Sequence, residues 1–199
     1  MSVTPTLQSI QRLGFTIGGE PSVAIDLVDT VSLAESPVVD QLDGRDAAWW
    51  ELQSPRLPDG PTPEAGPTRR LRSVLREAFE AVIDGRTPEG WVIDDLNTFA
   101  DSVPSSPRLV AAEDGLEVTT RWHREHGGDA RLAEVAGDGI RLLADPRRRA
   151  QLRRCANPAC SMLFLAENSR RVWCTANICG NRIRVARHHR EHSTGTAQS

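Results

Sequence analysis

Four cysteines stand in the last quarter of the chain, Cys155, Cys160, Cys174 and Cys179, spaced C-x4-C-x13-C-x4-C. Clustered thiols are either disulfide partners or metal ligands, and the redox compartment decides between them. The run MSVTPTLQSIQRLG lacks a charged segment followed by an apolar core. No stretch approaches the ~18 apolar residues of a membrane-spanning helix. A cytoplasmic, reducing setting with no membrane partner is therefore expected, and there the thiols read as ligands. Two pairs separated by thirteen residues can fold as two knuckles around one tetrahedral ion. Thiolates select zinc or iron–sulfur, and a closed four-thiolate zinc site is structural. One structural Zn2+ is expected, with no open position for catalysis.

The residues around the thiols suit that chemistry. In CANPAC, Asn157-Pro158 turns the chain so that two sulfurs converge. SMLFLAE can supply one strand of a hairpin and RRVWC the return, with Trp173 beside Cys174 to keep water from the sulfurs. CTANIC then leads into a helix at Gly180. A hairpin knuckle first and a helix-starting ligand last is the zinc-ribbon or treble-clef pattern. About 35 residues bury too little apolar surface to fold unaided, so the metal supplies the missing stability. Loss of a ligand is expected to unfold residues 150–192 and leave the rest folded. Zinc with four thiolates has a formal charge of about −2. Arg153, Arg154 and Arg182 neighbour the ligands and can neutralise it, while Asn181 can bond local backbone. Arg184, Arg187 and Arg190 follow at i,i+3 steps, so one side of a helix is basic. They are either phosphate ligands or a solvated surface paired with Glu191.

The charge distribution bears on that choice. All 24 cationic side chains are arginine. Residues 145–199 carry 11 arginines against three acids, a net +8, and residues 1–144 carry 13 against 24, a net −11. An acidic body with a basic tail implies a partner for the tail, most often nucleic acid, or a tail docked on its own body.

The elements that must hold these groups are read from periodicity. Leu71, Val74, Leu75, Ala78, Phe79 and Val82 recur at helical spacing, and Gly85 stops that helix. TPEGWVIDDLNTFADSV is a second helix with Thr87 as N-cap and Pro88 in its first turn, and GDARLAEVAGDGIRLLAD a third, weakened by Gly137 and Gly139. RDAAWWELQ is a short helix, and PRLVAAEDGLEVTTRW a hairpin turning at Gly115. GFTIGGEPSVAIDLVDTV reads as strand, turn and second β-rich run. The fold class expected is α+β: helices with a small, mostly antiparallel sheet over residues 1–146, a four-cysteine module over 150–192, and a disordered tail over 193–199. Asp26, Asp29 and Thr30 end the expected strand and, with Arg76 and Asn97, could line a pocket for a small-molecule effector. Trp49, Trp50 and Trp122 either join that cleft or fill the core.

Several residues together resemble a known family. CGNR at Cys179–Arg182, WC at Trp173–Cys174 and C-x4-C-x2-LF at Cys155–Phe164 resemble the CGNR zinc finger. VAIDLVDT at Val23–Thr30, LREA at Leu75–Ala78 and LN at Leu96–Asn97 resemble landmarks of the ABATE domain that accompanies it. The chain departs from the pattern at Asp29, where the family has Asn, and in a shorter segment before Trp173. The resemblance implies a bacterial, stress-linked transcription regulator: the finger binds DNA, with Arg170 and Arg171 among its contacts, and the body senses or assembles. A zinc ribbon alone does not choose among DNA, RNA and protein. One small finger reads little sequence, so a homodimer is expected. An enzyme is disfavoured. His123, His126, Asp26, Asp29 and Glu117 share no catalytic spacing, and no phosphate loop, nucleophile elbow or His-Glu-x-x-His occurs.

Overall fold

The computed structural model describes residues 10, 12–15, 20–33, 37–175 and 179. Its scaffold is three helices: α3 (Ala65–Ile83), α4 (Gly90–Asp101) and α5 (Ala130–Ala144). Leu71, Val74, Leu75, Ala78 and Phe79 of α3 are buried, as their spacing predicts. The side chain of Asp129 caps α5 by accepting from the N–H groups of Arg131 and Leu132. Helix α4 begins at Gly90 after Glu89, slightly later than the Thr87-Pro88 signal suggests. Gly139 is the close-approach point of α5. A Cβ there would stand 2.4 Å from Leu75 Cδ2 and 3.6 Å from Ala24 Cβ, so glycine lets α5 settle on its neighbours.

A short helix, α1 (Val23–Val28), packs against α3 and α5. This corrects the β-rich reading of that run. Ser22 caps α1 by accepting from Ile25 N–H, and Asp29 and Thr30 form the turn that ends it. Strand geometry begins only at β1 (Val31–Ser32), which pairs with β2 (Val39–Asp40). Helix α2 (Asp46–Gln53) buries Trp49 and Trp50 completely, with ring centroids 4.8 Å apart at 88°. Those two tryptophans are core, not cleft. A 3-10 turn (Ser54–Arg56) follows in the proline-rich loop.

Strands β3 (Ser105–Ala112) and β4 (Gly115–Trp122) make the expected hairpin, and Gly115 takes φ 131° at its turn. Trp122, half-buried, covers Val103, Ala130 and Ala133. Helix α6 (Pro146–Gln151) leads into β5 (Leu152–Arg154), which pairs with β6 (Leu163–Leu165). The fold is α+β, and among the described residues the strands form three separate two-stranded antiparallel pairs.

The strand β6 joins two cores. Alternate side chains of a strand point to opposite faces. Leu163 and Leu165 enter the main core with Leu152, while Phe164 enters a second cluster with the cysteines. No helix among the described residues is long and apolar enough to cross a membrane.

Candidate metal centre

The β5–β6 hairpin presents the first knuckle. Its ladder continues beyond the strands through Cys155 N–H to Met162 C=O, 3.0 Å, and Ala166 N–H to Gln151 C=O, 2.8 Å. The partner of Leu163–Leu165 is therefore Leu152–Arg154, not the expected RRVWC return. That segment instead passes alongside, with Ala156 N–H donating to Val172 C=O at 3.0 Å. Within the knuckle, Asn157 Oδ1 accepts from Ala159 N–H and Asn157 C=O from Cys160 N–H, which tightens the turn.

The four sulfurs converge. Cys155, Cys160, Cys174 and Cys179 place their Sγ atoms within 4.8 Å of one another, and three of the four residues are buried. The Cys160–Cys174 sulfur separation is 3.9 Å. A tetrahedral zinc with bonds of about 2.3 Å requires sulfurs about 3.8 Å apart, so one ion fits this cage. Buried thiols of this number need a cation to become ligands, and a closed sulfur set leaves no vacancy for substrate. Such an ion, when bound, supplies cross-linking stability and not reactivity.

Support for the sulfurs comes partly from a residue whose sequence context marks it only as a turn. Buried Asn157 donates its Nδ2 to Cys179 Sγ at 3.4 Å, linking the first knuckle to the last ligand. Trp173 packs on the cysteine cluster as expected. Arg153 and Arg154 do not neutralise the sulfurs. Arg153 donates to the carbonyls of Ala150 and Leu152, and Arg154 pairs with Glu80 of α3 and with Asp84 at the C-cap of that helix. Asn181, Arg182, Arg184, Arg187 and Arg190 lie outside the described residues.

The hairpin is fastened to the body by carboxylates. The outer edge of β6 turns the N–H groups of Leu163 and Leu165 away from β5. Asp29 Oδ1 accepts the first at 2.9 Å and Glu20 Oε2 the second at 3.0 Å. Two body acids thus take the place of a third strand. Arg171 closes the arrangement: it pairs with Glu20 at 2.6 Å, donates to the carbonyls of Leu165 and Cys174, and lies 4.6 Å over the Phe164 ring. Its guanidinium is thereby committed inside the molecule, which corrects its expected place among phosphate contacts. Arg170 is exposed in the adjoining turn, where Asn168 Oδ1 accepts the N–H groups of both arginines. Among the described residues, Arg154 and Arg171 are thus paired with acids of the body.

With the geometry in place, two family descriptions match the chain. ABATE, "Putative stress-induced transcription regulator", spans residues 22–146, and the CGNR zinc finger spans residues 151–192. The chain belongs to the ABATE family. Its C-terminal part is a CGNR zinc finger, and its four cysteines are the site for one metal ion. No curated protein matches the chain. Both matched families are regulatory or zinc-finger types, not enzymes.

In this ABATE chain the expected effector pocket is filled by protein. Asp26, Asp29 and Thr30 are buried, as is Arg76. Arg76 bonds Val28 C=O at 3.0 Å and Ser161 C=O at 3.1 Å, with Asp29 3.8 Å away. Thr30 Oγ1 accepts from Arg72, whose bidentate bonds hold the Asp40 carboxyl well below the usual range. Asn97 sits elsewhere. It is exposed on α4 and lines a mostly apolar groove of about 560 Å³ between α3, α4 and α5.

Burial has one measurable consequence in the ABATE part. Asp26 pairs with Arg56, yet desolvation outweighs that partner and pushes its carboxyl from 3.8 up to about 7. Asp29 is likewise pushed up by burial. An acid with a raised folded-state pKa keeps a proton that the unfolded chain has lost. Its stabilising contribution is therefore present near pH 4 and lost as pH rises through about 7. We expect the unfolding free energy of the parent relative to Asp26→Asn, both measured by urea titration with zinc bound, to fall as pH rises from about 4 to about 7. Parallel pH curves for the two proteins would remove Asp26 as the source.

Proposed function

We propose that the protein is a zinc-dependent, DNA-binding transcription regulator that acts in the cytoplasm as a homodimer, with the finger on the duplex and the body sensing or assembling. The observation that carries this reading is the burial of Cys179 in the sulfur cluster. The ion that holds Cys179 anchors the start of CGNRIRVARHHREH, the arginine-rich run that follows at once. Division of labour among the arginines supports it further. Arg154 and Arg171 are engaged by Glu20, Glu80 and Asp84, whereas Arg184, Arg187 and Arg190 follow the last ligand at helical i,i+3 steps. Those three bind phosphate, Arg170 adds a fourth cation from the exposed turn, and Asn181 and Arg182 shape the chain at the metal.

Replacing Arg184, Arg187 and Arg190 together by alanine tests the reading. Zinc content and thermal stability should stay at parental values. Affinity for all duplexes should drop alike, and the slope of log affinity against log salt should shrink by about 0.9 for each phosphate no longer neutralised. Undiminished duplex binding at low salt would turn the basic run into a protein- or RNA-facing surface.

A further inference from the structure

The β3–β4 hairpin serves no purpose in the metal centre, yet it is the longest strand pair in the described residues. None of its sixteen residues is buried. It stands off the helices, seated at its base by Trp122, and His123 N–H donating to Pro104 C=O at 2.8 Å extends its own ladder by one pair. An isolated two-stranded hairpin is marginal in water. This one also carries an apolar face. Leu109 lies opposite Val118 and Ala111 opposite Leu116, so all four project on one side. Leu109 is 66% exposed, and Leu116 and Val118 are each 73% exposed.

Its two edges differ. Natural sheets blunt free edges with proline or charge. Strand β3 carries Pro107, which has no N–H to offer. Strand β4 has no proline, and among the described residues no strand pairs with its outer edge. The His123–Pro104 bond fixes the alternation of the ladder, so Leu116, Val118, Thr120 and Trp122 turn their N–H and C=O groups outward. Val118, Thr119, Thr120 and Trp122 are residue types that suit a sheet.

We infer that the outer edge of β4 pairs antiparallel with β4 of a second copy, joining two hairpins into one four-stranded sheet. The inference rests on the dimeric reading above and gives it a surface. A second copy, rather than another protein, is indicated by the order of charges along the strand. A two-fold axis through Thr119 sets Glu117 opposite the partner's Arg121, and symmetry forms the same pair twice. Both residues are exposed. They fall at a non-hydrogen-bonded pair, where side chains lie closest. The acidic turn at Glu113 and Asp114 then lies beside the partner's Arg124. On the other face Val118 meets the partner's Thr120 and Leu116 the partner's Trp122, so the apolar stripes of both hairpins merge. Sliding the strands by one step either way removes the Glu117–Arg121 opposition.

Sedimentation velocity of the zinc-loaded full chain without DNA, from about 1 to 100 µM, reads the association directly. A concentration-dependent dimer is expected. Val118→Pro removes an outward N–H and leaves the β3 ladder intact, so the dissociation constant should rise about 100-fold or more with circular dichroism unchanged. Glu117→Arg should weaken the dimer roughly tenfold, and Glu117→Arg combined with Arg121→Glu should restore it. A parent that stays monomeric throughout, or a Val118→Pro chain that still dimerises, overturns the interface. Failure of the charge swap to restore association overturns the register. A monomer that binds duplex DNA would sink this interface and leave the finger reading standing. A β4-paired dimer with no DNA affinity would do the reverse.

Discussion

Removing zinc, whether by chelator or by Cys174→Ser, is expected to destabilise the whole chain and not only residues 150–192. The sequence alone leads to the opposite expectation, a finger that melts on a folded body. The packing changes it. Leu152, Leu163 and Leu165 belong to the same core as α1, α3 and α5, while Phe164 between them packs with the cysteines. Strand β6 cannot loosen on its metal side and stay fixed on its body side. Structural zinc contributes apparent free energies of about 10–16 kcal/mol in finger peptides, as much as the net stability of a typical domain. Hydrogen exchange checks this: after chelation, amides of α3 should lose protection together with those of β5 and β6. Full protection of α3 beside an unfolded hairpin would show two independent units.

What the sequence made legible follows from where its signals were local. The long helix α3 shows its period over five turns, the β3–β4 hairpin announces itself by its turn, and the four thiols need only spacing to be read as one site. Helix α1 escaped because all six of its residues are buried. With no exposed face there is no helical period, and VAIDLV then resembles a buried strand. Ser22 before that run was the available signal, as an N-cap. The Asp29 and Glu20 bonds to β6 had no local signature, since each joins segments more than a hundred residues apart. The resemblance places Arg171 among phosphate contacts, and nothing near it in sequence points to its partner Glu20, 151 residues away.

Arg76→Ala should be among the most damaging single changes outside the sulfurs, with a loss of about 3–5 kcal/mol. Its guanidinium ties the end of α1, through Val28 C=O, to the finger, through Ser161 C=O, and it is the cation beside buried Asp29. Without it two carbonyls lose their donor, and the buried Asp29 side chain loses the cation beside it. Arg76→Lys should rescue little, because a single ammonium cannot span those acceptors. By contrast Arg70→Ala, which breaks an exposed pair with Asp95, should cost less than about 1 kcal/mol. Urea midpoints of the three variants, with zinc bound, give the comparison. An Arg76→Ala loss as small as that of Arg70→Ala would show that the body and finger are held by apolar packing alone.

The bonds from Asp29 to Leu163 and from Glu20 to Leu165 span 134 and 145 residues. On the ribosome, where a chain lengthens at about 5–20 residues per second, the acids wait roughly 7–30 seconds for the strand they will hold. Through that interval the helices lack Leu152, Leu163 and Leu165, and the place of β6 lies open to chaperones and proteases. On the zinc dependence expected above, completion would await the ion as well as synthesis. Zinc supply would then set how long each newborn molecule remains vulnerable, and a cell short of the metal would hold less of this protein even with its messenger unchanged.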